Sequence, residues 1–507
     1  MRVVYPRSVL ARRLTPSIEV LAFVVGAASL GTEIAAARLL APYFGASTIV
    51  WANTIATVLV ALAIGYWLGG RLADRNPTRA GLCRLVLIAG GLLAVVPFVA
   101  GPFLRASTHA LDTISAGAFI GSLVGVMVLV AVPVLLLGAV APYAVRLSVE
   151  RVEETGSVAG RLYAISTVGS LAGTFISALA LIPLVGTRRT FLAFALALVL
   201  VAALGLGRRF VLAPLALGGL IALPTGIVKA SGGRVIWESE TPYQYARVIE
   251  NSDGERRLEL NEGVAVHSVY RPRSYLADGY WDGFLVLPFA ARARAPRRIA
   301  ILGNAAGTTV RSYGHFFPGT EIDAVEIDGQ LTDVGRRLFD MRAPRLHTFT
   351  ADARPFLRST SHRYDAIFID AYRQPYIPFY LATREFFALA RRRLTSGGAV
   401  VVNVGHPERS RRLERVLAAT MRTAFTTVLR DPTDSTNTLL LGTTASASGD
   451  RLRAGAAPLV PELRDLAARE AERLEPALRG GTVYTDDKAP VEWLIDTSIV
   501  QYAARAR

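Results

Sequence analysis

The sequence contains very little cysteine, lysine and charge. Its 507 residues include one cysteine, Cys83, which excludes a disulfide framework and any zinc or iron–sulfur site built on cysteines. Lysine occurs only as Lys229 and Lys488, so the net charge of +16 comes almost entirely from arginine, which we interpret as a compositional bias of the genome. Charged residues make up 19% and hydrophobic residues 52% of the chain. Because soluble domains carry about 25% charge on average, this composition excludes a wholly soluble protein.

Long apolar tracts fill the first half of the chain, and most of them reach the roughly 20 residues needed to cross a bilayer core. We predict a transmembrane helical domain over residues 1–230 with about seven spans. The spans are expected near 18–38, 48–70, 83–104, 117–142, 158–185, 190–207 and 210–229. A cleavable signal peptide is not expected, because the first apolar tract is too long and further spans follow it.

Arginine is dense before the first predicted span and in every second connector, which places the N-terminus in the cytoplasm. Seven spans would then place the second half of the chain outside, in conflict with the nucleotide chemistry described below. The number of spans and the side of the membrane therefore stay open.

Two features of the helical half could serve either packing or function. Glu33 lies in the first predicted span with Arg38 nearby, and a carboxylate at membrane depth is a candidate functional group. We favour a buried Glu–Arg pair that locks two helices. A series of small residues is expected to allow close helix packing rather than to form a substrate path. These residues are Gly156, Gly160, Gly169, Gly173 and Ser177.

The second half has the pattern of an α/β domain. Four short runs between 234 and 270 predict a small β-rich part over 231–296. From 297 onward, apolar runs typical of buried strands alternate with helical stretches, which indicates βαβ units and a mainly parallel sheet. Two further runs, 425–431 and 437–443, could form a closing hairpin, and a helix is expected over 461–479. We predict a Rossmann-like nucleoside-binding domain over 297–507.

A glycine-rich turn and three acids follow successive predicted strands. The turn contains Gly303 and Gly307, and the acids are Glu326, Asp352 and Asp370. In open α/β sheets the carboxyl ends of the strands form the ligand site, and an acid after the second strand is placed to bind ribose hydroxyls. We therefore expect these side chains to surround one nucleoside.

The expected ligand is a nucleoside without phosphates. No phosphate-binding lysine or second glycine cluster is present, and carboxylates repel phosphate but attract a sulfonium. An S-adenosyl compound fits this pattern better than ATP. The six histidines are scattered along the sequence, so we predict no metal site.

This order of motifs resembles the spermidine synthase (polyamine aminopropyltransferase) family, in its membrane-fused bacterial form, over roughly 235–500. The small β-part of that family is similar to Thr241-Pro242-Tyr243-Gln244 and Leu258-Glu259-Leu260-Asn261-Glu262-Gly263, and its Tyr-His-Glu segment corresponds to Tyr280-Trp281-Asp282. The helical half, with its GTE…APYFG and GYWLGGRLADR tracts, resembles the membrane-fused subgroup.

The resemblance implies a transfer of an aminopropyl group from decarboxylated S-adenosylmethionine, as co-substrate, to a polyamine-type amine. It implies that Gln244, Glu326 and Asp352 hold the nucleoside, and that Asp370 takes a proton from the attacking amine with assistance from Tyr280. It also implies a multi-pass protein of the bacterial inner membrane, in contact with lipid, with a cytoplasmic soluble domain. Whether the protein forms a homo-oligomer stays open. No nucleic-acid partner is expected.

Three positions depart from the family pattern. Ala306 stands where the family has an acid, Trp281 replaces a histidine, and Arg373 replaces a second aspartate. Asp282 and Asp487 are candidates to replace the missing carboxylates and bind an amine. The alternative is that they have structural roles in a turn and a helix cap. Trp281 is a candidate cation–π wall or a core residue.

Two other functions stay open. Because Ala306 removes the acid expected to recognise the aminopropyl amine, one alternative is a methyltransferase-type enzyme that uses intact S-adenosylmethionine. Because Glu33 lies in the first predicted span, the other alternative is a transporter or membrane sensor whose second domain binds a nucleoside or polyamine without turnover.

Overall fold

The computed structural model describes residues 16–44, 48–114, 118–207, 210, 212–222, 233–241, 243–261, 265–372, 377–408 and 410–495. Among the residues named above, Lys229, Pro242, Glu262, Gly263 and Arg373 lie outside these ranges. The chain divides into a helical unit, residues Met1–Asp112 and Ala118–Ile227, and an α/β unit, residues Thr113–Gly117 and Val228–Arg507.

The helical unit contains seven α-helices within the described ranges. They are α1 (Ile18–Phe44), α2 (Thr48–Arg75), α3 (Arg79–Ile114), α4 (Ala118–Ser148), α5 (Thr155–Phe175), α6 (Ile182–Leu206) and α7 (Leu212–Ala222). A π-helical segment, Ile176–Leu181, joins α5 to α6. In the described parts of the chain, five helical stretches are long and apolar enough to cross a membrane, and the last of them runs over 55 residues, Val152–Leu206.

The predicted spans 158–185 and 190–207 belong to this last stretch. Gly186 interrupts its helical geometry with φ of +84°, a left-handed conformation that glycine adopts without steric cost. The predicted span 210–229 contains α7, of which the structure describes 11 residues, and residues 223–229 lie outside the described ranges.

Small residues bring the helices of this unit into contact through their backbones. A Cβ atom added to Gly169 or Gly173 on α5 would overlap the carbonyls of Phe23 or Ala27 on α1. Ser177 donates a hydrogen bond to the carbonyl of Gly31 over 3.0 Å. The other two glycines of the predicted stripe, Gly156 and Gly160, have open space around them. Close packing therefore involves only the C-terminal part of the stripe.

The α/β unit begins with a four-stranded antiparallel sheet in the order β1-β2-β3-β4. Its strands are β1 (Arg234–Glu240), β2 (Tyr245–Glu250), β3 (Arg256–Leu260) and β4 (Ala265–Tyr270). Two hydrogen bonds join β4 to the residues that follow β5. The hydroxyl of Thr308 accepts from the amide of Val269 over 2.8 Å, and the hydroxyl of Ser268 accepts from the amide of Ala306 over 2.9 Å.

The second sheet has eight strands in the order β12-β10-β11-β9-β8-β5-β6-β7. They are β5 (Arg298–Leu302), β6 (Glu321–Glu326), β7 (Leu346–Thr350), β8 (Tyr364–Ile369), β9 (Leu394–Gly405), β10 (Thr427–Pro432), β11 (Asn437–Thr443) and β12 (Glu475–Pro476). Strands β5 to β9 pair in parallel, and β11 is antiparallel to both β9 and β10. This arrangement is the predicted α/β fold, and the pair β10–β11 is the predicted hairpin.

Helices flank this sheet. They are α8 (Tyr280–Val286), α9 (Thr308–Phe316), α10 (Gly329–Leu338), α11 (Ala353–Ser359), α12 (Arg384–Arg392), α13 (Arg412–Met421), α14 (Gly449–Ala456) and α15 (Pro461–Arg473). Strand residues such as Ile299, Phe368 and Val401 are fully buried against them. Helix α15 ends at Arg473, before the predicted limit of 479, because the following residues pair as β12 with β10.

Candidate active site

The glycine-rich turn lies against the residue that follows β8. Strands β5 and β8 are neighbours, with Leu302 paired to Ile369, and the amide of Asp370 donates to the carbonyl of Leu302 over 2.8 Å. Gly303 has φ of +86°, and a Cβ there would overlap the backbone of Asp370. Glycine at 303 therefore permits a contact between backbones that fixes the position of Asp370.

Glu326, at the end of β6, closes the other side of this turn. One carboxylate oxygen accepts from the amide of Ala305 over 2.8 Å and the other from the amide of Asp328 over 3.0 Å. Burial raises the pKa of Glu326 to about 7, and the charge of Asp328 raises it as well, while the hydrogen bonds from backbone amides act in the opposite direction.

Asp352 follows β7 and caps the N-terminus of α11. Its Oδ1 atom accepts from the amide of Arg354 over 2.9 Å, which is the usual role of an aspartate at this position. Its Oδ2 atom accepts a hydrogen bond of 2.6 Å from the hydroxyl of Tyr380. The loop that carries Tyr380 is thereby attached to the carboxylate.

Asp370 accepts a hydrogen bond on each carboxylate oxygen. The hydroxyl of Tyr280 donates to Oδ2 over 2.9 Å, and the amide of Asn403 donates to Oδ1 over 2.8 Å. Burial raises the pKa of Asp370 to about 7; the two donors lower the pKa, and the charge of Glu326 raises it. Burial, with the charge of Asp370, also raises the pKa of Tyr280 well above 10, so this hydroxyl stays protonated and remains a donor.

Gln244 enters the site from the small sheet through a tight turn after β1. The hydroxyl of Thr241 accepts from the amide of Gln244 over 3.0 Å and donates to its carbonyl over 2.9 Å. This local hydrogen bonding is typical of threonine in turns. It fixes the backbone of Gln244, which lines the cleft described next.

These residues line one cleft whose empty volume is about 750 Å³, including space open to solvent. Five predicted binding or catalytic residues line it: Gln244, Gly303, Glu326, Asp352 and Asp370. Among the described lining residues there is no lysine or arginine. His267 also lines the cleft, and burial lowers its pKa to about 4, so it is neutral at pH 7.

The remaining predicted residues lie away from the lining. Gly307 has φ of +86° and begins α9, where a Cβ would overlap Met341. Tyr280 is connected to the cleft by its hydrogen bond to Asp370. Trp281 is buried in the core and stacks on Tyr280 with ring centroids 4.2 Å apart.

The two candidate replacement carboxylates have other surroundings. Asp282 is 5% exposed and accepts from the amides of Ala277 and Asp278, both over 2.8 Å, so its carboxylate stabilises a turn. Burial raises its pKa to about 6. Asp487 is exposed, and the neighbouring Asp486 pairs with Arg354 over 2.6 Å. The substrate roles of Trp281, Asp282 and Asp487 stay predictions to which this geometry adds no support.

Sequence reasoning missed Asn403 and Tyr372. Asn403 is the one polar residue within the apolar run 399–404. Because a buried polar residue in a strand needs a hydrogen-bond partner, this pattern could have identified Asn403 as a candidate site residue. Tyr372 donates to the carbonyl of Asn403 over 2.9 Å. Nothing in the pattern marks Tyr372, which comes from the loop after β8.

Comparison with known proteins places this geometry in a family. Residues 287–447 match the family described as "Spermine/spermidine synthase domain". A probable polyamine aminopropyl transferase of Bifidobacterium longum (strain NCC 2705) is 30% identical over 302 residues, covering 54% of this chain and 67% of the relative. The chain belongs to the polyamine aminopropyltransferase family. This aminopropyltransferase is therefore a transferase, as the resemblance implied.

A second relative extends the similarity into the helical half. Polyamine aminopropyltransferase 2 of Ralstonia nicotianae (strain ATCC BAA-1114 / GMI1000) is 25% identical over 448 residues, which cover 79% of this aminopropyltransferase and 81% of the relative. A solved structure of a probable spermidine synthase from Corynebacterium glutamicum ATCC 13032 is 22% identical with a TM-score of 0.37, covering 51% of this chain and 99% of that chain.

Proposed function

We propose that this aminopropyltransferase moves the aminopropyl group of decarboxylated S-adenosylmethionine to a polyamine-type amine. The observation that carries the proposal is the content of the cleft: Glu326, Asp352 and Asp370 line it together, and no described lining residue is basic at pH 7. Such a cleft attracts cations and repels phosphate. A nucleoside with a sulfonium and an ammonium has the complementary charge.

In this proposal Gln244, Glu326 and Asp352 hold the nucleoside. Glu326 follows the second strand of the parallel series, where an acid can accept from ribose hydroxyls, and Asp352 is placed to meet the amine of adenine. Because Tyr380 occupies one oxygen of Asp352, the nucleoside either shares that carboxylate or displaces the tyrosine.

Asp370 is the proposed general base. The acceptor amine is protonated at pH 7; Asp370 takes a proton from it, and the neutral nitrogen attacks the aminopropyl methylene carbon next to the sulfonium. A new C–N bond forms and the C–S bond breaks with its electron pair on sulfur, which gives 5′-methylthioadenosine and a protonated secondary amine. A base whose pKa lies near the working pH is suited to this step, and burial gives Asp370 a pKa of about 7. Alignment of the two substrates supplies much of the remaining acceleration.

The helical unit is proposed to lie in a membrane, with its lipid-facing surface formed by apolar side chains. Leu59, Val60 and Trp67 on α2 are 57–58% exposed, and contiguous exposed apolar surface of this kind is rare in soluble proteins. We propose the inner membrane of a bacterium as the location, and the domain limits 1–230, 231–296 and 297–507.

Mass spectrometry of the products tests the donor. The purified full-length protein is incubated with an acceptor amine such as putrescine and with either decarboxylated or intact S-adenosylmethionine. We expect 5′-methylthioadenosine and an aminopropylated amine from the decarboxylated donor only. Formation of S-adenosylhomocysteine from the intact donor would support the methyltransferase instead, and no product from either donor would contradict an enzymatic role.

A further inference from the structure

Two asparagines on neighbouring strands form a chain of hydrogen bonds that ends on Asp370. Asn403 lies in β9 and is 3% exposed. Its Nδ2 atom donates to Oδ1 of Asp370 over 2.8 Å, and its Oδ1 atom accepts from Nδ2 of Asn437, on β11, over 2.9 Å. Asn437 lies diagonally across from Asn403, since Leu439 is the residue paired with Asn403. Diagonal positions share one face of a sheet.

The order of donors and acceptors fixes how the Asn403 amide is turned. An asparagine side chain has one end that donates and one that accepts. Because Asn437 supplies a donor to the oxygen of Asn403, the NH₂ group of Asn403 faces Asp370. The opposite orientation would place a carbonyl oxygen against the carboxylate and the NH₂ group of Asn403 against that of Asn437, with like groups in contact at both ends.

The ionisable groups that face Asp370 come from three elements. Glu326 follows the same sheet edge on β6, Tyr280 begins α8, and Tyr372 follows β8. The charge of Glu326 opposes ionisation of Asp370, and the buried tyrosines are neutral donors. Within the part of the chain that the structure describes, Asn403 and Tyr280 are the two side chains that donate hydrogen bonds to Asp370 and so favour the ionised base.

We propose that Asn403 and Asn437 are positioning residues for the transfer reaction: Asn437 orients the amide of Asn403, and that amide holds the carboxylate of Asp370 ionised and aimed into the cleft. This inference rests on the proposed role of Asp370. Asn437 exerts its effect without touching the reacting carboxylate, through a single amide.

The test compares N437D with N437A at pH 7, where an ordinary aspartate is ionised. An aspartate side chain has nearly the shape of asparagine but can only accept, so it attracts the NH₂ group of Asn403 and turns the carbonyl oxygen toward Asp370. We expect kcat to fall about five-fold in N437D, since a rise of one unit in the pKa of Asp370 from about 7 lowers its ionised fraction at pH 7 from about one half to about one tenth, and only about two-fold in N437A, where the rise is smaller. The KM for the nucleoside donor is expected to stay unchanged. A packing role for Asn437 predicts the reverse order, because aspartate preserves the shape.

A second readout does not depend on turnover. Infrared spectroscopy follows the C=O band of protonated Asp370, assigned by its loss in D370N, as a function of pH. We expect the titration midpoint to move upward in both variants and further in N437D. The control is S435D, which adds the same charge to the same hairpin without replacing a partner of Asn403. In this control we expect the titration midpoint of Asp370 and kcat to stay close to those of the wild type.

The outcomes separate this inference from the proposed function. If the wild type transfers the aminopropyl group, but N437A loses at least as much activity as N437D or the Asp370 midpoint is unmoved in both, the inference is wrong. If the wild type is inactive with decarboxylated S-adenosylmethionine, the proposed function fails. In that case the infrared titration alone still supports or overturns the hydrogen-bonded chain.

Discussion

At the scale of single residues, Asp370 stands between two opposing influences. Burial and the charge of Glu326 favour its protonated form, whereas Tyr280 and Asn403 favour the carboxylate. The result is a pKa of about 7, far above that of an aspartate in water and near the value that a general base needs at neutral pH. Removing either donor is expected to disturb this balance in the same direction.

Y280F tests the donor on the other oxygen of Asp370. The change deletes a hydrogen bond of 2.9 Å that favours the ionised carboxylate, so the pKa of Asp370 rises. Since the base must be ionised to accept a proton, the acidic limb of the kcat/KM profile is expected to move to higher pH by about one unit, because one pKa unit corresponds to about 1.4 kcal/mol. Activity at pH 7 falls and recovers in part at pH 9.

Y313F is the matched control for Y280F. Tyr313 is also fully buried, and its hydroxyl donates to the carbonyl of Phe284 over 2.9 Å in the same core. It makes no hydrogen bond to Asp370. The control therefore loses one buried hydrogen bond without a change in the pH profile. An unshifted acidic limb in Y280F would show that Tyr280 does not tune the base.

At the scale of elements, the turn after β5 and the end of β8 depend on each other through Gly303. We expect G303A to destabilise the α/β unit and to displace Asp370, because a methyl group would overlap the backbone of that residue and because φ of +86° is unfavourable for alanine. Activity is expected to fall at least ten-fold, measured with the aminopropyl transfer assay, together with a lower Tm.

The control for backbone strain is G397A. Gly397, within β9, has φ of +71° and nothing within 4 Å of an added Cβ. It therefore reports the cost of the left-handed conformation alone, about 1 kcal/mol, without overlap. If G303A and G397A lose equal stability and neither loses activity, the contact between Gly303 and Asp370 does not support the site.

The elements of the α/β unit were largely accessible from the sequence because their periodicity is local. The apolar runs that end at Leu302, Glu326 and Ile369 predicted the parallel strands, and the acids that follow them predicted one edge of the sheet. The partners of those acids were not accessible. Asn403, for example, meets Asp370 only because β9 pairs with β8, a contact between residues 33 apart in the chain.

At the scale of the whole molecule, the sequence predicted a helical part and an α/β part, and the structure forms two units with these two characters. Hydropathy located the apolar tracts, and the predicted spans 158–185 and 190–207 are separated at the place where Gly186 interrupts the helical stretch Val152–Leu206. The number of spans stays a prediction. The side of the membrane depends on that count and is a proposal.

The central claim is that Asp370 accepts the proton of the attacking amine. It is tested most directly by D370N, which keeps the shape of the side chain and removes its basicity. With decarboxylated S-adenosylmethionine and putrescine, we expect D370N to lose at least a thousand-fold in kcat, within the 10²–10⁴-fold range of general base catalysis. We expect 5′-methylthioadenosine to bind within about three-fold of the wild-type affinity, because the nucleoside contacts are proposed to lie at Gln244, Glu326 and Asp352. A D370N enzyme that retains wild-type kcat at pH 7 would contradict the account.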